Sequence, residues 1–202
     1  MERLYIHPDN PQERYIQQAV EVLRQGGLII YPTDTVYGLG CDLYNKRGIE
    51  RIYLLKGKRK KMRLSFICPD LKDIARYAHV STPAYKIMRR LLPGPYTFIL
   101  EASREVPKIV LEKKRTVGIR VPDNIVCQML LKEHGAPIIS TSARLPDQDM
   151  LNDPDEIAEI FQHHVDLFLD AGFSSLEPST VLDLTNEEPI VVRPGKGELA
   201  LV

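Results

Sequence analysis

Apolar positions along the chain switch between a three-to-four spacing and short unbroken runs, the mark of alternating helices and strands. Ile16, Val20 and Leu23 share one helical face behind the start signal Asn10-Pro11-Gln12-Glu13, with Asn10 as cap and Pro11 as first helical residue. Gly26-Gly27 ends that helix, and Leu28-Ile29-Ile30 reads as a buried strand. Ile49, Ile52 and Leu55 mark a second helix, Ile74, Tyr77 and Ala78 a third, and Tyr85, Met88 and Leu91 a fourth after Thr82-Pro83. Strands are predicted over 64–68, 96–100 and 116–121. A helix over 124–134 stops at Gly135-Ala136-Pro137, and Ile138-Ile139-Ser140 resumes the sheet. Asp153-Pro154-Asp155-Glu156 opens a last helix with Ile157, Ile160 and Phe161 on its buried face, before short strands over 167–169, 180–184 and 190–193. This is an α/β pattern with a mixed sheet and packed helices. No internal repeat or separating linker interrupts it, so one domain over residues 1–202 is predicted.

Charge alters this ordinary picture. The formal net charge is zero, yet residues 46–120 hold 20 Lys and Arg against 6 Asp and Glu. Within them, Lys56-Gly57-Lys58-Arg59-Lys60-Lys61-Met62-Arg63 places six cations in eight positions. Such a run stays out of a core and repels itself unless anions are near, so a solvated loop and a phosphate-binding segment are both open readings. No apolar run approaches the ~18 residues of a membrane span, and a cytoplasmic protein is expected. Cys41, Cys68 and Cys127 are far apart and read as reduced thiols; the five histidines show no metal-ligand spacing, and no metal site is expected.

Candidate chemistry gathers in loops at strand ends, where open α/β sheets bind ligands. Tyr31-Pro32-Thr33-Asp34-Thr35-Val36-Tyr37-Gly38-Leu39-Gly40 follows the first strand with two hydroxyls, a carboxylate, an aromatic and two glycines. Ser140-Thr141-Ser142-Ala143-Arg144 offers three hydroxyls and a guanidinium, and Pro178-Ser179-Thr180 precedes Arg193-Pro194-Gly195-Lys196. Serine and threonine hydroxyls in such loops serve either as turn caps or as ligands for phosphate oxygens. Arg120 sits inside the apolar stretch Val117-Gly118-Ile119-Arg120-Val121 and requires a partner, either a ligand or one of the acids in the C-terminal third.

Several blocks together resemble one family, the YrdC/YciO superfamily, whose best-known members are threonylcarbamoyl-AMP synthases. They are Tyr31 to Asp42, Leu55 to Lys58, Leu92-Pro93-Gly94-Pro95-Tyr96-Thr97-Phe98-Ile99-Leu100, Val117 to Asp123, Pro137 to Ala143, Pro178 to Asp183 and Val192 to Gly195, in order along most of the chain. The opening Tyr5-Ile6-His7-Pro8-Asp9-Asn10-Pro11 is most similar to the YciO branch. The resemblance implies a twisted mixed sheet with flanking helices around a concave basic cavity that takes ATP as substrate, with Mg as its candidate metal and no tightly bound cofactor. It implies threonine as co-substrate, joined with bicarbonate and ATP into threonylcarbamoyl-AMP and pyrophosphate for the t6A modification of tRNA. Thr35, Tyr37 and Arg120 are then the substrate contacts, Lys56 and Lys58 the catalytic cations, and Ser140, Ser142, Arg144, Ser179 and Arg193 the nucleotide contacts.

The family's K-x-R and S-x-N signature reads Lys56-Gly57-Lys58 and Ser142-Ala143-Arg144 here. Lysine at 58 keeps the charge without the planar fork, while Arg144 replaces an amide by a permanent cation. The alternative is a non-catalytic protein that binds nucleotide or double-stranded RNA, with Lys58, Arg59, Lys60, Lys61 and Arg63 as the RNA contacts. A third reading, a sugar-phosphate enzyme on the same scaffold, needs an acidic metal site for which no spacing is present.

Overall fold

The chain folds around one sheet, described by a computed structural model over residues 1–57, 64–111, 115–146, 148–186 and 188–201. Lys58, Arg59, Lys60, Lys61 and Arg63 therefore lie outside the described residues. The strands are β1 (Glu2–Tyr5), β2 (Ile29–Tyr31), β3 (Gly38–Gly40), β4 (Ser65–Ile67), β5 (Ala78–His79), β6 (Tyr96–Ala102), β7 (Thr116–Arg120), β8 (Ile138–Ser142), β9 (Leu167–Asp170), β10 (Thr180–Asp183) and β11 (Ile190–Arg193). The helices are α1 (Glu13–Arg24), α2 (Lys46–Leu55), α3 (Leu71–Tyr77), α4 (Thr82–Leu91), α5 (Ile125–His134) and α6 (Pro154–Phe161). Strand order is β1-β9-β2-β3-β8-β4-β7-β6-β10-β11, with β5 paired to β6. Parallel pairs (β1 with β9, β2 with β9, β4 with β7, β6 with β10) mix with antiparallel ones, as the pattern predicts.

The alternation of side chains across each strand divides the core in two. Ile30, Phe66, Phe98, Ile119, Ile139 and Phe168 face one side, where α2, α3, α4 and α6 bring Ile49, Ile52, Ile74, Met88, Ile157 and Phe161. Ile29, Tyr31, Ile67, Ile138, Leu167 and Leu169 face the other, covered by Ile16, Val20 and Leu23 of α1 and by Val126, Leu130 and Leu131 of α5. Both covering helices of this second face lie at its β9-β2-β8 end. Farther along, toward β6 and β10, the same face is left to the candidate site.

Local details depart from the expected caps. Asn10 does not cap α1: its backbone N–H donates to His7 Nδ1, Gln12 holds the cap position, and Gln12 Oε1 accepts from the His7 N–H. Elsewhere the caps follow side-chain chemistry, with Asn45, Asp70, Ser81, Asn124 and Asp153 each accepting a backbone N–H of the first turn. Ala78, expected in the third helix, begins β5 instead. The glycine-bearing segment after β2 is itself a strand, β3, antiparallel to both β2 and β8. Its glycines serve packing: a Cβ on Gly40 would lie 2.2 Å from the Ile139 carbonyl oxygen, and one on Gly38 would lie 2.8 Å from the Tyr31 ring.

At the end of β3, Asp42 Oδ2 accepts a 2.6 Å hydrogen bond from Nε2 of His134, the last residue of α5, whose side chain is buried. Burial opposes ionisation of Asp42, but the His134 bond and the Tyr44 N–H hold its carboxyl below the ordinary 3.8. A lowered carboxyl pKa contributes stability that is present above the unfolded value and is lost as pH falls through the folded one. Asp42→Asn is therefore expected to destabilise the fold by about 1–3 kcal/mol at pH 7. In urea titrations this difference from the wild type should shrink as pH drops below about 3.8. Gly40→Ala forces its methyl group onto a backbone oxygen, and a loss of about 1–3 kcal/mol is expected in the same assay.

Candidate functional site

Seven consecutive strands of the sheet, β3-β8-β4-β7-β6-β10-β11, carry residues that line a cavity of about 240 Å³. Its floor is cleared by small side chains. Ser65 pairs with Gly118 on one side and Ser140 on the other, and Thr97 pairs with Val181. At Gly118 a Cβ would crowd the Ser65 Cβ at 3.2 Å. Ser65, Thr97 and Gly118 were not anticipated from the sequence, although a small residue at alternate positions of an otherwise apolar strand is the signal that finds them.

The wall after β2 is built by its own hydroxyls. Thr33 Oγ1 donates to the Val36 carbonyl at 2.7 Å and accepts from the Thr35 N–H at 3.0 Å, which fixes a tight turn. That turn aims Thr35, 1% exposed, at the end of β7, where Arg120 Nη1 donates to Thr35 Oγ1 at 2.8 Å. Arg120 Nη2 donates to Asp34 Oδ1 in a buried ion pair. The partner of Arg120 is thus an acid of the opening segment and not one of the C-terminal third. Arg120 Nε and Asp34 Oδ2 are buried without a hydrogen-bond partner, so this pair keeps both a donor and an acceptor in reserve.

Ser179 and Arg193 form the opposite wall. Ser179 Oγ lies 2.8 Å from Thr97 Oγ1, and Arg193 Nη2 donates to the Ser179 carbonyl at 2.7 Å. The following segment straps this wall down: Lys196 N–H donates to the Pro178 carbonyl and Thr180 Oγ1 to the Gly197 carbonyl. Lys196 Nζ reaches across to the Asp34 carbonyl at 2.7 Å, joining the two walls. Partial burial, then the charges of Arg120 and Arg144, push the Arg193 guanidinium below its ordinary value. Arg193 therefore feels two further guanidiniums, and the described cavity lining holds Arg120 and Arg193 but no carboxylate, Asp34 pairing with Arg120 from just outside it.

The other expected residues are placed less directly. Tyr37 lines the cavity, but its hydroxyl donates to the Gly172 carbonyl at 2.6 Å and accepts from the Ala171 N–H, so it holds the loop after β9. Burial pushes its phenol well above the ordinary value. Ser140 and Ser142 are lining residues. Arg144 is not among them, and its Nη1 donates to the Gln148 carbonyl. Lys56 lies behind the β8 wall with both partners on backbone carbonyls, while Lys58 lies outside the described residues. No described helix is long and apolar enough to cross a membrane, and among the described residues no group of three His, Cys, Asp or Glu side chains is placed to hold a metal ion.

A family model for Sua5, YciO and YrdC proteins, described as telomere recombination, matches residues 21–195. The chain is 44% identical to Escherichia coli YciO over 197 residues, 96% of each protein, and its fold matches the crystal structure of that protein with a TM-score of 0.95 over 100% of this chain and 99% of that one. It is 30% identical to the threonylcarbamoyl-AMP synthase of Vibrio vulnificus over 86% of this chain and 95% of that enzyme. It also matches Pyrococcus abyssi Sua5 complexed with L-threonine, at 27% identity and a TM-score of 0.90, covering 96% of this chain and 58% of that one. With its core blocks, its sheet and its relatives in agreement, the chain belongs to the Sua5/YciO/YrdC family.

Proposed function

We propose that the cavity binds ATP together with threonine, in the manner of a threonylcarbamoyl-AMP synthase whose turnover has been altered by the residues at 58 and 144. The observation that carries this reading is the excess of guanidinium over carboxylate at the cavity. Arg120 and Arg193 line it, Arg144 stands close enough to act on Arg193, and Asp34 answers only one of them. Arginines grip phosphate oxygens through parallel N–H bonds, and hydroxyls such as Ser140, Ser142 and Ser179 add neutral donors. The family relatives support the choice of ligands: one is a threonylcarbamoyl-AMP synthase and another was crystallised with L-threonine.

In this reading threonine and the reacting phosphate occupy the cavity of about 240 Å³. In the synthase reaction the threonine nitrogen and bicarbonate condense to a carbamate with loss of water, and a carbamate oxygen bonds to the α-phosphorus of ATP as the bond to pyrophosphate breaks. The residues in hand supply electrostatic stabilisation and orientation for such a step, with no covalent intermediate on the protein.

Pyrophosphate release with ATP, threonine and bicarbonate tests turnover, and ATP binding by calorimetry tests the site. Arg193→Ala is expected to weaken ATP binding by about tenfold or more, as loss of a charge-assisted contact does. An unchanged affinity sinks the assignment of Arg193, and background release from the wild type rejects turnover while leaving binding to be judged by calorimetry. Arg144→Asn restores the amide of the family signature, and a rise in pyrophosphate release is the expected outcome.

A second reading rests on the five cations of positions 58–63, Lys58, Arg59, Lys60, Lys61 and Arg63: binding of double-stranded RNA or tRNA. Each phosphate contact releases counterions, so log affinity should fall with log salt by roughly 0.7–0.9 per contact. Replacing Lys58, Arg59, Lys60 and Lys61 by serine is expected to flatten that slope, and a slope that stays the same overturns the RNA reading.

A further inference from the structure

The Lys56 side chain is 7% exposed and is missing from the cavity lining, although it belongs to the signature that marks the family. Its ammonium donates 2.6 Å hydrogen bonds to the Ser142 carbonyl and to the Arg144 carbonyl. These two oxygens flank the point where the chain leaves β8. Ser142 is the last residue of that strand and pairs with Gly38, and the Ala143 N–H donates to the Tyr37 carbonyl. Beyond it the chain turns sharply, with the Arg144 N–H on the Ser142 carbonyl and the Leu145 N–H on Gln148 Oε1.

A second contact joins the same two segments. Lys56 is the C-terminal cap of α2, and Gly57 follows it at a φ of +65°. A Cβ on Gly57 would lie 3.1 Å from Pro146 Cγ, so backbone and proline ring already meet. The end of α2 thus docks on the exit of β8 twice, once through an ammonium and once through a close backbone approach. No carboxylate partner of Lys56 exists among the described residues. A buried ammonium with only neutral acceptors is an unusual choice unless its donors are needed where they are.

We propose that Lys56 is a positioning residue: its ammonium clamps the Ser142 and Arg144 carbonyls, so that Ser140 and Ser142 face the cavity and the Arg144 guanidinium is directed to Gln148. Its link to ligand affinity rests on the nucleotide reading above, whereas the clamp itself is a property of the ligand-free chain. Three donors on a flexible stem suit two carbonyls in divergent directions better than a planar guanidinium does. Burial and the Arg144 charge lower the Lys56 pKa to about 8, and a neutral amine retains two N–H groups for the same two carbonyls. A clamp of this kind survives deprotonation, and a direct ammonium–phosphate contact does not.

Trypsin reads the clamp directly, because Arg144 is itself a cleavage site. In the ligand-free wild type the Arg144–Leu145 bond should resist cleavage, and in Lys56→Met it should be cut about tenfold faster or more, as local opening follows the loss of charge-assisted hydrogen bonds. Lys56→Gln, which keeps a neutral donor for one carbonyl, should fall between them. If Lys56→Met does not fold, the glutamine variant and amide exchange at residues 142–145 of the wild type supply the same measurement. Equal cleavage in all three proteins, with the fold intact by circular dichroism, overturns the proposal. Loss of ATP binding in Lys56→Met without any gain in cleavage also overturns it, since Lys56 then touches the ligand itself. A wild type that binds ATP equally at pH 7 and pH 9 supports the clamp, while affinity lost through pH 8 in step with Lys56 deprotonation counts against it. If the wild type binds no ATP, the nucleotide reading fails, and the cleavage comparison still decides the clamp.

Discussion

The buried contact of Arg120 with Asp34 and Thr35 is the interaction on which the site depends. It joins the last residue of β7 to the loop that leaves β2, two segments separated in the sheet by β3, β8 and β4. A charge at that depth stays ionised only with a partner and with its N–H groups satisfied, and removing one member of such a pair costs about 3–5 kcal/mol. The tie therefore anchors the turn of Thr33 to Val36 to the end of β7. Because Arg120 has further donors, the same residue can hold the wall and still face a ligand.

The cavity exists because the helices stop short. Helices α1 and α5 bury Ile29, Ile67, Ile138 and Leu167, and farther along the same face the chain substitutes Ser65, Gly118, Ser140 and Thr97 for large apolar groups. Small polar residues on an uncovered sheet face contribute little to burial, so they are retained at a cost in apolar contact. Tyr31 makes the boundary: its ring lies across the two glycines of β3, between the filled half of the face and the open one. Both glycines leave room for this ring, and Gly38 also borders the cavity.

Helices with repeating apolar faces and strands of branched residues were legible from the sequence, because burial dictates both patterns. The elements that escaped are those with weak patterns. Strand β1 exposes Glu2 and Tyr5, β3 is Gly-Leu-Gly, and β5 is two residues long, so pairing partners rather than propensity create them. Among site residues, Thr35, Arg120, Ser140, Ser142, Ser179 and Arg193 could be singled out by chemistry at strand ends, and the fold brings them around one cavity or directly against its walls. Pairing assignments were beyond reach: nothing in one dimension says that Asp34 answers Arg120, or that the Tyr37 hydroxyl turns away to the loop after β9.

Binding and turnover place different demands on these walls. Affinity for an anion needs positive potential, which Arg120 and Arg193 provide from the ends of β7 and β11. Acceleration needs contacts that strengthen only as the transition state forms, and these tolerate little displacement. The β8 exit carries one of the two departures from the family signature, the other being Lys58; there the Arg144 guanidinium turns to Gln148 and its carbonyl accepts from Lys56. An arginine there adds to the cationic field felt by Arg193 while offering no acceptor to a substrate group. On the proposed reading, changes of this kind would leave attraction for phosphate in place and alter the geometry in which it would react. The wall built by Arg120, Asp34 and Thr35 would then serve recognition, and the junction of α2 with β8 would set how far chemistry follows.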